Sequence, residues 1–255
     1  MSSRLTHWEG EPVRSWQEAW DVPLLEAYAS VGSTNDRALE LAAGGAGPFT
    51  VVVADEQARG RGRRGAAWHS PPGSGLWMST VLPHEGAPRW LPLVVGLAAA
   101  EAIEGATGAV GVGLKWPNDL ILGVAKVGGI LCEAASGVVV AGVGINLRAP
   151  RGGFPGPLSR TATALDMEGA NSLSPSRLAG MIVDGLKARA GPGAVDLDPV
   201  TLGALRARDV LAGRSVHTEA LGPGTARGID PSGALVLERP DGSRVPVSSG
   251  SVRPV

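Results

Sequence analysis

Apolar and polar positions along the chain change period several times, and each change marks an element. The run TVVVADEQ, residues 50 to 57, is continuously apolar and β-branched before it turns polar, which predicts a buried strand entering a loop. GLWMSTVLP, residues 75 to 83, predicts a second strand. LPLVVGLAAAEAI follows with small apolar residues, predicting a helix from about residue 92 to 104 that packs closely on a sheet. Upstream, Ser33 stands where it can cap a helix running to about residue 43, with Asp36 as its capping-box partner and Gly44 as the stop. VGVGLKWPNDLIL reads as strand, Pro-Asn turn, strand. AKVGGILCEAA and VVVAGVGINL read as a hairpin turning near Gly137. Strands outnumber helices and often succeed one another directly. The expected class is therefore α+β, a mixed β-sheet with helices packed on one side, and not a doubly wound dinucleotide-binding domain.

Beyond Gly152 the texture changes. A Pro/Gly-rich connector leads to a helix predicted from Pro175 through Leu178, Ile182 and Leu186, and a second over residues 200 to 207. The last stretch, from about residue 209, alternates five short strand patterns with turn signals such as DPSG and PDG, as a small β-barrel requires. The expected division is a flexible N-terminus over 1–23, a main domain over 24–208 and a small β-domain over 209–255. No internal repeat is present.

Composition narrows the chemistry. With one cysteine, Cys132, a disulfide framework and a multi-cysteine metal site are excluded, and four scattered histidines lacking HExxH spacing give no expectation of a histidine metal cluster. The longest apolar run is too short to span a bilayer and the first 23 residues lack a signal-peptide core, so a cytoplasmic protein with no membrane partner is expected. Formal net charge is -1, yet four arginines fall between Arg59 and Arg64, three of them inside GRGRRG. Glycines let that backbone fold over a ligand while guanidinium forks suit phosphate or carboxylate. A nucleic-acid-binding module would need a wider basic face, so a small anion is the preferred reading.

Taken singly, the motifs also fit structural roles. STN at residues 33 to 35 is a helix cap. GRGRRG lacks both the placement of a dinucleotide fingerprint and the Lys-Ser/Thr of a P-loop. KWPND, residues 115 to 119, is equally a rigid turn, and the glycines of KVGGILCE, residues 126 to 133, equally mark a bulge.

Their collinear order is more specific. STN, then Q-x-x-G-R-G-R-R-G-x-x-W-x-S-P at residues 57 to 71, then KWPND, KVGGILCE and GVGIN, ending in a β-barrel, resembles the biotin protein ligases over about residues 25 to 255. The resemblance implies a catalytic domain of the class II aminoacyl-tRNA synthetase-like type with an SH3-like C-terminal barrel. It also implies biotin and ATP as substrates, Mg2+, a biotinyl-5'-AMP intermediate, and transfer of biotin to a lysine of a carboxyl-carrier domain. Ser33, Thr34, Asn35 and Gln57 match positions near the biotin ureido ring, and Trp68 an aromatic packed on biotin. Gly60, Arg61, Gly62 and Arg63 match the wrapping loop, with Arg63 and Lys126 as the catalytic cations. Lys115, Asn118 and Asn146 match nucleotide- or ligand-side positions, Asp119 a Mg2+ ligand, and Gly128 and Gly129 places of close backbone approach. Two departures stand out: Ala66, where the family commonly has an arginine, and Ala162, where some relatives place an aromatic against adenine. With only some 24 residues ahead of the resemblance, no DNA-binding domain and no operator binding are expected, and either a monomer or a homodimer is compatible. The rival enzyme class is a lipoate or octanoyl transferase.

Overall fold

The computed structural model describes residues 3–83, 88–108, 111–135, 137–170, 173–190 and 196–255. Val110, the first residue of one expected strand, lies outside them. In chain order the elements are β1 (Ser3–Leu5), β2 (His7–Trp8), β3 (Glu11–Pro12), α1 (Val13–Ala19), β4 (Leu25–Ser30), α2 (Thr34–Ala43), β5 (Val51–Ala54) and β6 (Gly75–Leu82). Then come α3 (Leu91–Thr107), β7 (Gly113–Lys115), β8 (Asp119–Leu122), β9 (Ala125–Ala135), β10 (Val138–Asn146), α4 (Pro175–Arg189) and α5 (Pro199–Arg208). The chain closes with β11 (Ser215–Thr218), β12 (Gly222–Ile229), β13 (Leu235–Glu238), β14 (Arg244–Val247) and β15 (Val252–Pro254).

Eight strands form one mixed sheet in the order β1-β4-β5-β6-β10-β9-β8-β7, in which β4 and β5 run parallel and every other neighbour pair is antiparallel. The parallel pair requires a crossover, and α2 supplies it. That crossover overturns the expectation of helices on one side. Val51 and Val53 of β5 join the large core beneath α3 and α4, whereas Val52 and Ala54 pack with Tyr28, Ala38 and Val140 on the α2 face. An all-apolar strand is what two covered faces demand. The last five strands make a separate antiparallel sheet, β14-β13-β12-β11-β15, consistent with an SH3-like domain. Among the described residues no helix is long and apolar enough to cross a membrane.

Two local expectations are corrected. Ser33 does occupy the N-cap of α2, but its side chain makes no capping bond, and the Asp36 carboxylate turns instead to Arg61, 2.7 Å away. A full charge on Arg61 outbids a backbone N–H for that carboxylate. Nor is the start of the chain loose. From residue 3 onward it pairs along β4, and Trp20 packs edge-on against Trp8 and tilted against Trp16, with ring centroids 6.1 and 6.2 Å apart. Trp8 donates from Nε1 to Asp55 Oδ1 at 2.9 Å, and Trp16 from Nε1 to the Trp8 carbonyl. Trp20 lies on α4 at Gly180, where a Cβ would come within 2.8 Å of the indole. Three indoles bury too much apolar area to be left in solvent. Trp20→Ala is accordingly expected to destabilise the whole protein by about 3 kcal/mol in urea unfolding. An unchanged midpoint would mean that residues 3–23 dock without supporting the core.

Candidate active site

The α2 face of the sheet is built for something other than packing. Register and alternation place Trp77 and Ser79 of β6, Gly129, Leu131 and Glu133 of β9, and Gly142 and Gly144 of β10 on this face, while Met78, Ile130 and Val143 point into the core. The two β10 glycines leave a stretch of bare backbone. A Cβ on Gly142 would sit 2.3 Å from Asn35 Oδ1, and one on Gly144 would sit 2.5 Å from Trp68 Nε1. Asn35 and Trp68 lie flat on the strand only because those positions carry no side chain.

Over this floor the glycine-arginine segment folds into a small hairpin. Trp68 N donates to the Gly60 carbonyl at 2.9 Å, Gly62 N to Ala66 O at 2.7 Å, and Arg61 bridges Ala67. The turn passes through Arg64 and Gly65 with φ of 58 and 74°, the left-handed region that glycine enters without strain. Beneath it opens a cavity of about 370 Å³, within the range of small-molecule sites. Trp68 forms its aromatic wall, edge-on to Trp77 with centroids 6.5 Å apart. Lys126 Nζ stands 5.2 Å from the Trp68 ring centroid and 2.5 Å from Asp119 Oδ1, which is the only carboxylate lining the cavity among the described residues.

The loop arginines divide the labour. Arg61 is neutralised by Asp36 and by Glu133, 3.1 Å away, and Arg64 is paired with Glu219 of the C-terminal sheet. Arg63 has no carboxylate within ion-pair distance among the described residues. It donates to Asn118 Oδ1 and to the Gly250 carbonyl, both at 3.3 Å. Burial, reinforced by the neighbouring Arg64 charge, lowers its proton affinity against the opposing pull of Asp119 and Glu219. A guanidinium stays charged regardless, so Arg63 presents a partly desolvated cation with no counter-ion to the cavity.

Most sequence-predicted residues converge here. Thr34, Gln57, Arg61, Gly62, Arg63 and Trp68 line the cavity from one side; Asn118, Asp119, Lys126, Gly129 and Asn146 line it from the other. Asn118 donates from Nδ2 to the Ile130 carbonyl and Asn146 from Nδ2 to that of Thr163, both at 2.9 Å. Five predicted residues stand outside the lining. Ser33 is a buried cap, Asn35 lies on the floor at Gly142 without lining the cavity, Gly60 closes the hairpin, and Lys115 sits on edge strand β7. Gly128 makes room for Leu120 and the Gly144 carbonyl, each 2.8 Å from a would-be Cβ, so its smallness serves sheet packing. Of the two arginines that could replace one at Ala66, Arg59 lies against Gly32 and Arg64 is spent on Glu219. Gly142, Gly144, Phe154, Gly250 and Ser251 were not expected in the site. Phe154 is the aromatic that reaches the wall from the segment containing Ala162. The alternating glycines of VAGVGIN were a readable signal; nothing local in sequence marks Gly250.

A mixed sheet whose bare strand supports an aromatic, cation-lined cavity, followed by a small antiparallel domain, defines a small-molecule ligase of the biotin/lipoate type. Residues 29–149 match the Biotin/lipoate A/B protein ligase family and residues 220–253 the Biotin protein ligase C terminal domain. The biotin--[acetyl-CoA-carboxylase] ligase of Mycobacterium tuberculosis is 34% identical over 89% of this chain and 88% of its own length. The bifunctional ligase/repressor BirA of Bacillus spizizenii is 38% identical over 53% of this chain, a match that spans 44% of that protein. Among solved structures, the biotin protein ligase from Aquifex aeolicus in complex with biotin and ATP superposes with a TM-score of 0.76 at 27% identity, covering 91% of this chain and all of that one. The chain belongs to the biotin protein ligase family.

The floor supplies a direct test. Gly144→Ala should push Trp68 off β10 and lower stability by about 1–3 kcal/mol through overpacking, measured by chemical denaturation. A variant as stable as the parent would show that the indole has room to shift.

Proposed function

We propose that this chain activates biotin with ATP and passes it to a lysine of a biotin carboxyl carrier domain. The observation that carries the reading is the meeting of Trp68, Lys126 and Arg63 around one cavity, in a chain aligned almost end to end with a biotin ligase. In the first step a biotin carboxylate oxygen attacks the α-phosphorus of ATP, the bond to the β-phosphate bridge breaks, and pyrophosphate leaves. Two anions must approach, so the site has to offset their repulsion. At an effective dielectric near 20, one cation about 4 Å away contributes roughly 4 kcal/mol before desolvation. Lys126, poised over the Trp68 ring, and Arg63, lacking a counter-ion, provide two such charges. In the second step the carrier lysine amine attacks the acyl carbon and AMP departs.

Asp119 suits a Mg2+ bound jointly with nucleotide phosphates, since Mg2+ takes one or two carboxylates and completes its shell with phosphate and water. The ion would supply charge neutralisation on the triphosphate. Lys126 would then exchange its Asp119 partner for the reacting carboxylate or phosphate. Asn118 steadies Arg63, and the Gly60–Trp68 hairpin shields the mixed anhydride from water. A lipoate or octanoate substrate is the second reading, because the family model spans both chemistries; the separate match to the biotin-ligase C-terminal domain favours biotin.

The test is pyrophosphate release from purified protein given ATP, Mg2+ and biotin, followed by labelling of a carrier domain; release with lipoate and none with biotin would overturn the reading. Lys126→Ala should slow release by about a hundredfold, because it removes a transition-state cation and leaves Asp119 unopposed. Near-normal release would take Lys126 out of the chemistry. Arg63→Gly should still form biotinyl-adenylate but lose it about tenfold faster, seen as weaker retention on gel filtration and biotinylation of bystander proteins. Complete loss of synthesis would place Arg63 in the chemical step instead.

A further inference from the structure

Beside the cavity, on the α2 face of the sheet, runs a chain of polar contacts whose direction can be worked out group by group. At one end, Asn35 Nδ2 faces the Glu133 carboxylate at 2.6 Å and the Leu131 carbonyl at 3.3 Å. Both partners are acceptors, so the Asn35 amide cannot turn over without setting its oxygen against them. Its Oδ1 therefore faces Ser79 Oγ, 2.6 Å away, and only the hydroxyl has a proton to give. Ser79 Oγ also lies 2.8 Å from Thr34 Oγ1, but its single proton is already committed to Asn35. At the other end, Gln57 Oε1 takes the Thr34 backbone N–H at 2.9 Å, which fixes the Gln57 amide, and it lies 3.0 Å from Thr34 Oγ1. Gln57 Nε2 in turn donates to Ser70 Oγ at 3.0 Å.

The Thr34 hydroxyl is thus left between two oxygens, Ser79 Oγ and Gln57 Oε1, that can only accept from it. Its proton is held inside the protein and its remaining lone pair is turned to the cavity. We infer that Ser79, wholly buried and outside the cavity lining, is a positioning residue that presents Thr34 to the ligand as a hydrogen-bond acceptor, so that the site selects a substrate carrying an N–H donor. This rests on the biotin reading above and deepens it. A ureido ring offers N–H groups, whereas a dithiolane ring or an alkyl chain offers none and would leave the acceptor unpaired. Sites built to bond a polar group reject analogues that lack it far more strongly than apolar pockets reject a missing methylene.

The experiment compares biotin with a biotin methylated at the ureido nitrogen, measuring adenylate formation by the parent, Ser79→Ala, Thr34→Val and the double variant. The parent should prefer biotin by at least tenfold in kcat/KM. Ser79→Ala removes the nearer of the two inward acceptors and leaves Gln57 Oε1, 3.0 Å away, as the other, so the Thr34 proton is held less firmly: the preference should fall severalfold without vanishing, with KM for biotin rising by a similar factor and kcat little changed. In the Thr34→Val background, Ser79→Ala should add almost nothing to the loss. Equal losses for the two substrates, or additive effects of the two substitutions, would reduce Ser79 to a packing role and overturn the inference. A Ser79→Ala protein too unstable to assay is replaced by Ser79→Cys, whose weaker donor should give a smaller change of the same sign. Failure of the parent to adenylate biotin at all would instead overturn the functional reading itself.

Discussion

Two absent side chains on one strand decide where everything else in the site can be. Because Gly142 and Gly144 leave β10 bare on its α2 face, an indole and an amide can lie directly on backbone at distances no other residue would allow. Once Trp68 is seated, the hairpin that carries it is drawn across the sheet, and its arginines arrive above the ends of β8 and β9. Once Asn35 is seated, the start of α2 is pinned and Thr34 faces inward. The opposite face of the same strand, through Val139, Ala141, Val143 and Ile145, is ordinary core. One strand thus serves packing on one side and ligand chemistry on the other, with the period-2 alternation keeping the two apart.

Charge follows the same economy. Four arginines crowd one loop of a chain whose net charge is near zero, and the structure resolves the crowding by giving Arg61 and Arg64 carboxylate partners on different elements. Those pairs tether the hairpin at two points. They are partly exposed, and their worth lies in geometry more than in stability. Of the three arginines that line the cavity, Arg63 is the one without a carboxylate partner among the described residues. The loop is therefore held by its neighbours' charges while one guanidinium is reserved for the ligand.

Much of this was legible in the sequence because strand and helix signals were strong: the β-branched run of β5, the small-residue helix α3, Pro175 opening α4, and five short strands after residue 209. The motif residues Thr34, Gln57, Trp68, Asp119 and Lys126, scattered in sequence, line one cavity. What escaped was non-local. Residues 3–23 look polar and irregular in one dimension, yet Trp20 finds its partner surface at Gly180 of α4 and Trp8 a hydrogen-bond partner in Asp55, both far along the chain. The crossover role of α2 depends on β4 and β5 being parallel, which a local pattern cannot express. Asp36 read as a cap because the competing cation, Arg61, lies 25 positions away. Gly128 and Gly129, adjacent and alike in sequence, serve different ends because consecutive strand residues face opposite ways.

The contact between Arg63 and the Gly250 carbonyl joins positions 187 residues apart and makes the C-terminal sheet one wall of the cavity. Closing so long a loop costs entropy that only the finished domain contacts can repay. During synthesis, the large sheet and its helices can be complete while the pocket is still an open groove. Gly250 leaves the ribosome well after that sheet and is the part that shuts the groove, so a chain interrupted before residue 250 would carry nearly all of the chemistry and little of the enclosure. The site is completed in time as well as in space by its most distant part.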